Sequence, residues 1–350
     1  MSQDNLTVVS DAIGIDLGDK ECHVCHLDAA GTVAERSTLP TTEVAFRRKF
    51  GALPRTRIAI EVGTHSPWLS RLLGELGHEV IVANARKLRL IYENPKKNDR
   101  VDAEQLARVA RMDPQLLHPV THVGERAQAD RAMLRARDAL VRVRGVLVNQ
   151  ARGLVKSMGT RLPKCSTDAF PQKAIGHIPD LLKPALTPLL EAIKEITCKI
   201  RAYDRDLDQL VERSYPLAAR LTQVQGVGNL TALAFMLTIE DPARFKKSRE
   251  VGAYLGLTPR KNQSGDSDPE LGITKAGNSF VRRLLVQSAQ YILGAFGPKT
   301  DLRLWGLSVA ARGRKASKKR AVVAVARKLA VLLHRLWVSP APYEPNRRAG

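Results

Sequence analysis

The sequence predicts a mixed α/β sheet domain followed by an all-helical region, and three observations point to it. Up to about residue 112, short apolar runs alternate with helix-periodic segments, the order expected of a sheet covered by helices. Beyond residue 119, apolar residues recur at spacings of three and four. A loop containing Pro163, Pro171, Pro179 and Pro184 divides that helical region.

Residues 12–17 and 22–27 read as the first two strands. A turn at 28–31 leads to a third strand ending near Leu39. Residues 42–53 have helical spacing, and 57–62 form a short buried strand. Residues 67–76 form a helix with Pro67 in its first turn, followed by a strand at 79–83. A further helix begins near Asn98 and runs through Leu106 and Val109. Three sequential strands followed by alternating units describe a mixed sheet with helices on both faces.

In the helical region, Ala136, Leu140, Val143, Leu147, Ala151, Leu154 and Met158 form one apolar stripe. A second helix is expected to start at Pro188 with Thr187 as its cap. Its residues Leu189, Ile193, Ile196, Ile200, Tyr203, Leu207 and Leu210 alternate in steps of four and three, the seam of a coiled coil. The partner is either the earlier helix or a second copy of the chain. Near Tyr215 a third part begins. Gly226 and Gly228 form a tight turn that opens a helix at 229–239, as in a helix–hairpin–helix whose backbone N–H groups bind a phosphate. An ordinary helix–helix turn is the alternative. Residues 321–337 form a helix with Val322, Val325, Ala326, Leu329, Leu333 and Leu336 on one face. The expected division is a sheet domain at 1–118, a helical coiled-coil region at 119–215, a C-terminal domain at 216–340 and a tail at 341–350.

Composition narrows the class. A chain of 350 residues is long enough for more than one domain. Its 44% hydrophobic and 26% charged content is that of a folded protein. No apolar run reaches the roughly 20 residues of a membrane span, and residues 1–11 lack a secretory pattern. Four cysteines suit a reducing compartment, so a cytoplasmic, nucleoid-associated location is expected. Lys and Arg number 56 against 35 acids, a net charge of +21 that suits a polyanion. Arg312, Arg314, Lys315, Lys318, Lys319 and Arg320 precede the apolar face of the last helix and are expected to contact phosphate.

Four acids are expected to converge. Asp16 and Glu61 interrupt apolar strands, where a charge needs a partner. Asp99 and Asp102 share one face at a helix start, whose dipole favours anions. Carboxylates from two strands and one helix suit Mg²⁺, a hard cation that can activate a nucleophile at a phosphodiester. Two other patterns are set aside. Residues 14–18 (Gly-Ile-Asp-Leu-Gly) resemble the phosphate loop of actin-like ATPases, but no second phosphate loop or adenosine motif follows. Residues 22–26 (Cys-His-Val-Cys-His) match a haem attachment pattern but fall on a strand, so they read as an ordinary strand.

Taken together, these motifs resemble one family. Asp16 within 14–18, Glu61 within 60–63, and Lys97-Asn98-Asp99-Arg100-Val101-Asp102-Ala103 resemble the DEDD, RuvC-like domain of IS110-family transposases. Phe245-Lys246-Lys247-Ser248, Tyr254-Leu255-Gly256-Leu257-Thr258-Pro259, Ser264-Gly265, Gly272-Ile273-Thr274-Lys275-Ala276-Gly277-Asn278 and Val281-Arg282-Arg283-Leu284-Leu285 resemble its second domain. The resemblance implies an RNase H/RuvC-like fold, an Mg²⁺ site at Asp16, Glu61, Asp99 and Asp102, and Ser264 as a nucleophile joined covalently to DNA. It also implies a structured noncoding guide RNA and a homo-oligomer, either dimer or tetramer. Beside Ser264, Arg260 and Lys261 could neutralise a phosphate, and Gly265 permits close backbone approach. Lys275, Arg282 and Arg283 join the residues expected to bind nucleic acid. Ser248, Ser267 and Ser279 are weaker nucleophile candidates. The rival readings are a metal-only nuclease or junction resolvase, a nonenzymatic nucleic-acid-binding protein and, more distantly, an actin-like ATPase.

Overall fold

The computed structural model describes residues 11–84, 99–260, 271–313 and 317–346. The chain divides into two compact units, 1–123 and 124–350.

The first unit is built on five strands: β1 (Ala12–Leu17), β2 (Glu21–Leu27), β3 (Val33–Pro40), β4 (Arg57–Glu61) and β5 (Glu79–Ala83). Their order is β3-β2-β1-β4-β5. β1–β3 are antiparallel neighbours, whereas β4 and β5 run parallel to β1. Short links allow the two hairpins. At the β2–β3 turn, the Asp28 carboxylate accepts from the N–H groups of Ala30 and Thr32, and Gly31 takes a positive φ. The parallel strands return through α1 (Glu43–Phe50) and α2 (Ser66–Glu75). Thr42 caps α1 by accepting from Ala45, and a proline lies in the first turn of α2.

Strand alternation sorts the two faces. Ile13, Ile15, Ile58 and Ile60 pack with Phe46, Phe50, Leu69 and Leu73 of α1 and α2. The other face is covered by α3 (Asp99–Met112). There Cys25 and Leu27 meet Ala103 and Ala107, while Ala59 meets Leu106 and Ala110. Gly14 is required for this contact, because a Cβ at that position would lie 2.0 Å from the Ala103 carbonyl oxygen. Arg57, the first residue of β4, donates to the carbonyl of Ala110 near the end of α3. The helix therefore runs antiparallel to β1 and β4, and its first turn lies over their carboxyl ends. Cys22 and Cys25 are buried strand residues, and burial raises both thiol pKa values.

The second unit is helical. α4 (Glu125–Ser157) and α6 (Lys183–Ser214) form an antiparallel hairpin joined through a short helix, α5 (Phe170–Ala174). Val148, Ala151 and Val155 meet Leu186, Leu190 and Ile193 at one end. Leu134 meets Leu207 and Val211 at the other. The buried seam differs from the expected one. On α6, Ile193, Ile200 and Leu207 are kept, but Leu190, Thr197 and Val211 are buried in place of Leu189, Ile196 and Leu210, and Tyr203 stays half-buried. On α4 only Ala151 of the expected stripe is fully buried. Polar residues disguise the true stripe. Buried Arg144 donates to Asp168 and, at 3.3 Å, to Thr197. Buried Asp130 accepts from Tyr215 at 2.6 Å. α6 also starts earlier than expected, at Lys183, because Pro184 occupies the first turn, where no N–H is needed. Pro188 then lies inside the helix, which gives up one backbone hydrogen bond.

Around this hairpin's far end pack α7 (Ala218–Thr222), α8 (Asn229–Ile239), α9 (Glu250–Tyr254), α10 (Ser279–Leu293), α11 (Asp301–Ala310) and α12 (Ser317–Val338). α8 is the central helix, with every residue from Thr231 to Ile239 buried. Among the described residues, no helix is long and apolar enough to cross a membrane.

Candidate functional site

The β1–β4 ladder pairs Ala12 with Arg57 through Ile15 with Ile60. Extended by one residue, it places Asp16 beside Glu61 at the carboxyl ends of adjacent parallel strands. Asp16 shares its face with Gly14, and Glu61 shares its face with Ala59. Both therefore lie on the side covered by α3. Asp102, in the first turn of that helix, is buried. Asp99 is the first residue of α3, and its side chain lies outside the described residues. Three of the four expected acids are thus brought to one end of the sheet. Among the described residues, no three carboxylate, histidine or cysteine groups are close enough to form a metal shell. Their hard oxygen donors and shared position nonetheless suit a divalent cation.

Neighbours that sequence reasoning missed complete this edge. His23 lies directly opposite Asp16 in the β1–β2 ladder, so it shares that face. Its place in an apparent haem motif hid it. The segment after Glu61 is held in place: Gly63 donates to the Ser66 hydroxyl, which meets His122 Nε2 at 2.8 Å. Trp68 donates to His65 Nδ1 at 3.1 Å, which leaves Nε2 to carry the proton toward Asp19, 3.4 Å away. The His65–Asp19 and Ser66–His122 pairs are far apart in the chain, and no local spacing announces them.

The basic residues fall into three groups. Arg260 and Lys275 are exposed on a short stem made by one isolated bridge between Pro259 and Ile273. Ser264 and Lys261 lie outside the described residues, as do Arg314 and Lys315. Arg282 and Arg283 have protein partners. Arg282 donates to the carbonyls of Leu255 and Ala276 and braces the stem, and burial lowers its pKa. Arg283 pairs with Asp138 and stacks on Phe280. Arg312, Lys318, Lys319 and Arg320 are exposed around the start of α12.

Gly226 takes a positive φ in the turn before α8, and a Cβ there would press on Tyr291 of α10 at 2.9 Å. Gly228 caps α8 and is exposed, while the neighbouring Asn229 donates to Asp208. Of the other serines, Ser279 opens α10, and Ser248 meets His334 Nδ1 at 2.9 Å. His334 Nε2 faces the Pro242 carbonyl and so carries the proton, leaving Nδ1 to accept from Ser248.

Comparison with known proteins agrees with both units. The DEDD transposase family of the IS110 type matches residues 13–159, and the family described as Transposase IS116/IS110/IS902 matches residues 218–303. A protein of Pseudomonas aeruginosa named as a probable family 20 transposase is 29% identical over 341 residues, covering 95% of this chain and 98% of its own length. The transposase of insertion sequence element IS1111A from Coxiella burnetii is 31% identical over 72% of this chain and 70% of its own. That of element IS1328 from Yersinia enterocolitica is 29% identical over 79% of this chain and 82% of its own. Matching both family regions in order, this chain belongs to the IS110 family of transposases.

Proposed function

We propose that this transposase cuts and rejoins DNA strands with two sets of residues, the carboxylates of the sheet domain and a serine of the C-terminal unit. The observation that carries the first set is the in-register placement of Asp16 and Glu61 beneath the helix turn holding Asp102. Asp16, Glu61, Asp99 and Asp102 would hold Mg²⁺. The bound ion would neutralise charge on the scissile phosphate and lower the pKa of a coordinated hydroxyl. The closed helix–sheet contact at Gly14 keeps the acids from drifting apart. It thereby fixes where a phosphate can sit.

For the second set, the Ser264 hydroxyl attacks phosphorus and gives up its proton. A serine–phosphate ester forms as the bond to the deoxyribose oxygen breaks, and that oxygen leaves as a hydroxyl. Attack by another strand's hydroxyl reverses these changes and releases the serine. Arg260 and Lys261 flank it to balance the phosphate charge, and Gly226, Gly228, Lys275, Arg312, Arg314, Lys315, Lys318, Lys319 and Arg320 supply further nucleic-acid contacts. Arg282 and Arg283 contribute through the stem and the hairpin that they brace. Specificity is delegated to a noncoding guide RNA. Within 124–350, the hairpin to about residue 215 and the helical domain at 216–340 act as separate domains.

The hairpin also supports a homo-oligomer. The apolar stripe that it leaves half-buried, with Leu140 of α4 beside Tyr203 of α6 around a hollow of about 600 Å³, suits a second hairpin. The experiment is a strand-transfer assay with denaturing detection of protein–DNA adducts. Ser264→Ala is expected to abolish the adduct with DNA binding retained, and Asp16→Asn to abolish strand cleavage. An adduct preserved in Ser264→Ala refutes the serine assignment, and metal-dependent cleavage without an adduct would make the chain a nuclease or resolvase.

A further inference from the structure

We propose that a groove in the C-terminal unit holds a single unpaired DNA strand, with bases on its floor and phosphates along its rim. The proposal rests on the reading of this chain as a DNA-rejoining enzyme and names the form of DNA that it grips. The groove lies between the outward face of α12, the stem at Pro259 and Ile273, and α11, and encloses about 1250 Å³. That exceeds the roughly 300–1,000 Å³ of small-molecule sites, so it suits part of a polymer.

Its floor is apolar, formed by Leu257, Trp305, Val323, Val331 and Leu332. Its rim is cationic. Among the described residues, seven lysines and arginines line it against two acids, Asp301 and Glu344. Arg249, Lys275, Arg327 and Arg335 form no ion pair among the described residues, so the rim's charge is not cancelled internally. Lys328 lies 3.7 Å from the Trp305 ring centroid, which shows that the ring already receives a cation on its face. These residues come from five separate stretches of chain, and the basic run before α12 supplies only Lys319 and Arg320 of the seven cations.

An apolar floor beneath a cationic rim fits unpaired nucleic acid better than a duplex. Duplex bases are stacked inside and present phosphate outward, whereas an unpaired strand can place base faces on apolar and aromatic side chains. DNA is taken as the occupant over RNA because this chain belongs to a family of transposases. Pro259, Leu271, Gly272 and Ile273 line the groove and also form the base of the stem. A strand in the groove therefore meets the paired base of this stem.

The test is fluorescence anisotropy of the full-length protein with a labelled 20-nucleotide oligodeoxynucleotide, its duplex and the RNA of the same sequence, at fixed salt. Wild type should prefer the single DNA strand. Trp305→Leu should weaken single-strand binding about tenfold, with duplex binding changed less than twofold. The double variant Arg327→Gln/Arg335→Gln leaves the apolar floor intact. It should weaken single-strand binding by a similar factor and flatten its salt dependence by about two contacts. Thermal melting confirms that each variant is folded, and the double variant decides the matter if Trp305→Leu is not. Equal losses for duplex and single strand, equal affinity for RNA, or competition by an acidic peptide but not by DNA would each overturn the proposal. Asp16→Asn separates the two readings. It should abolish strand cleavage yet leave groove binding untouched, so each reading can fail alone.

Discussion

Replacing Gly14 by alanine should displace α3 and expose how the acidic edge is assembled. The new Cβ would sit 2.0 Å from the Ala103 carbonyl oxygen and 2.6 Å from the Ala107 nitrogen. Ordinary contact begins near 3.4 Å, so the helix must retreat by about 1.4 Å. Both opposing atoms are backbone, and no side-chain rotation relieves the overlap. The cost should lie at the upper end of overpacking, about 3 kcal/mol. For a unit of this size, at roughly 4 °C per kcal/mol, the melting temperature falls by about 12 °C. Asp102 rides on the displaced helix, and a shift near 1 Å at a reacting centre costs on the order of a hundredfold in rate. Calorimetry on Gly14→Ala, paired with the strand-transfer assay, reads both effects. A variant that melts within 2 °C of wild type, or that melts lower but transfers strands at full rate, refutes the inference that close helix–strand contact sets the acids in place.

Leu140→Glu places a charge on the half-buried stripe of the hairpin and should convert an oligomer to monomers in light scattering without unfolding it; a wild-type chain that is already monomeric defeats that expectation. Tyr215→Phe removes the donor to buried Asp130 and should destabilise the second unit by about 1–3 kcal/mol in denaturant melts, and a smaller change means another donor replaces it. Arg36 and Arg108 hold the Glu104 carboxylate below its ordinary value of 4.5. A depressed carboxylate stabilises the fold above that ordinary value and loses its contribution as pH falls through the lower one. Melting of wild type should therefore drop more steeply than that of Glu104→Gln as pH falls from 5 to 3; parallel curves would mean that the Arg36 and Arg108 contacts add nothing.

The sheet was legible from sequence because its physics is local. Strand edges coincide with turn residues, Ile13, Ile15, Ile58 and Ile60 alternate with small or acidic neighbours, and the order of elements limits the topology. The acids were legible for a related reason: Asp16 and Glu61 break runs that otherwise demand burial. The hairpin seam was not. Its buried face carries Asp130, Arg144 and Thr197, whose partners Tyr215 and Asp168 lie far along the chain. Hydrophobic spacing therefore favoured the neighbouring stripe. The groove was legible only in part: Lys275, Lys319 and Arg320 were expected to meet nucleic acid, whereas Arg249, Arg327 and Arg335 are scattered and only folding lines them along one rim. His23 was concealed by a different signal, a cysteine–histidine pattern that fell on a strand opposite Asp16.

The descent of α3 across β1 and β4 has a temporal consequence. Asp16 belongs to the first strand to be synthesised, Glu61 to the fourth, and Asp102 to a helix that can dock only after β5 is laid down. No shorter stretch of nascent chain holds these acids together. On the proposed reading, the acidic edge would be incomplete throughout synthesis and would form only when the whole first unit has closed.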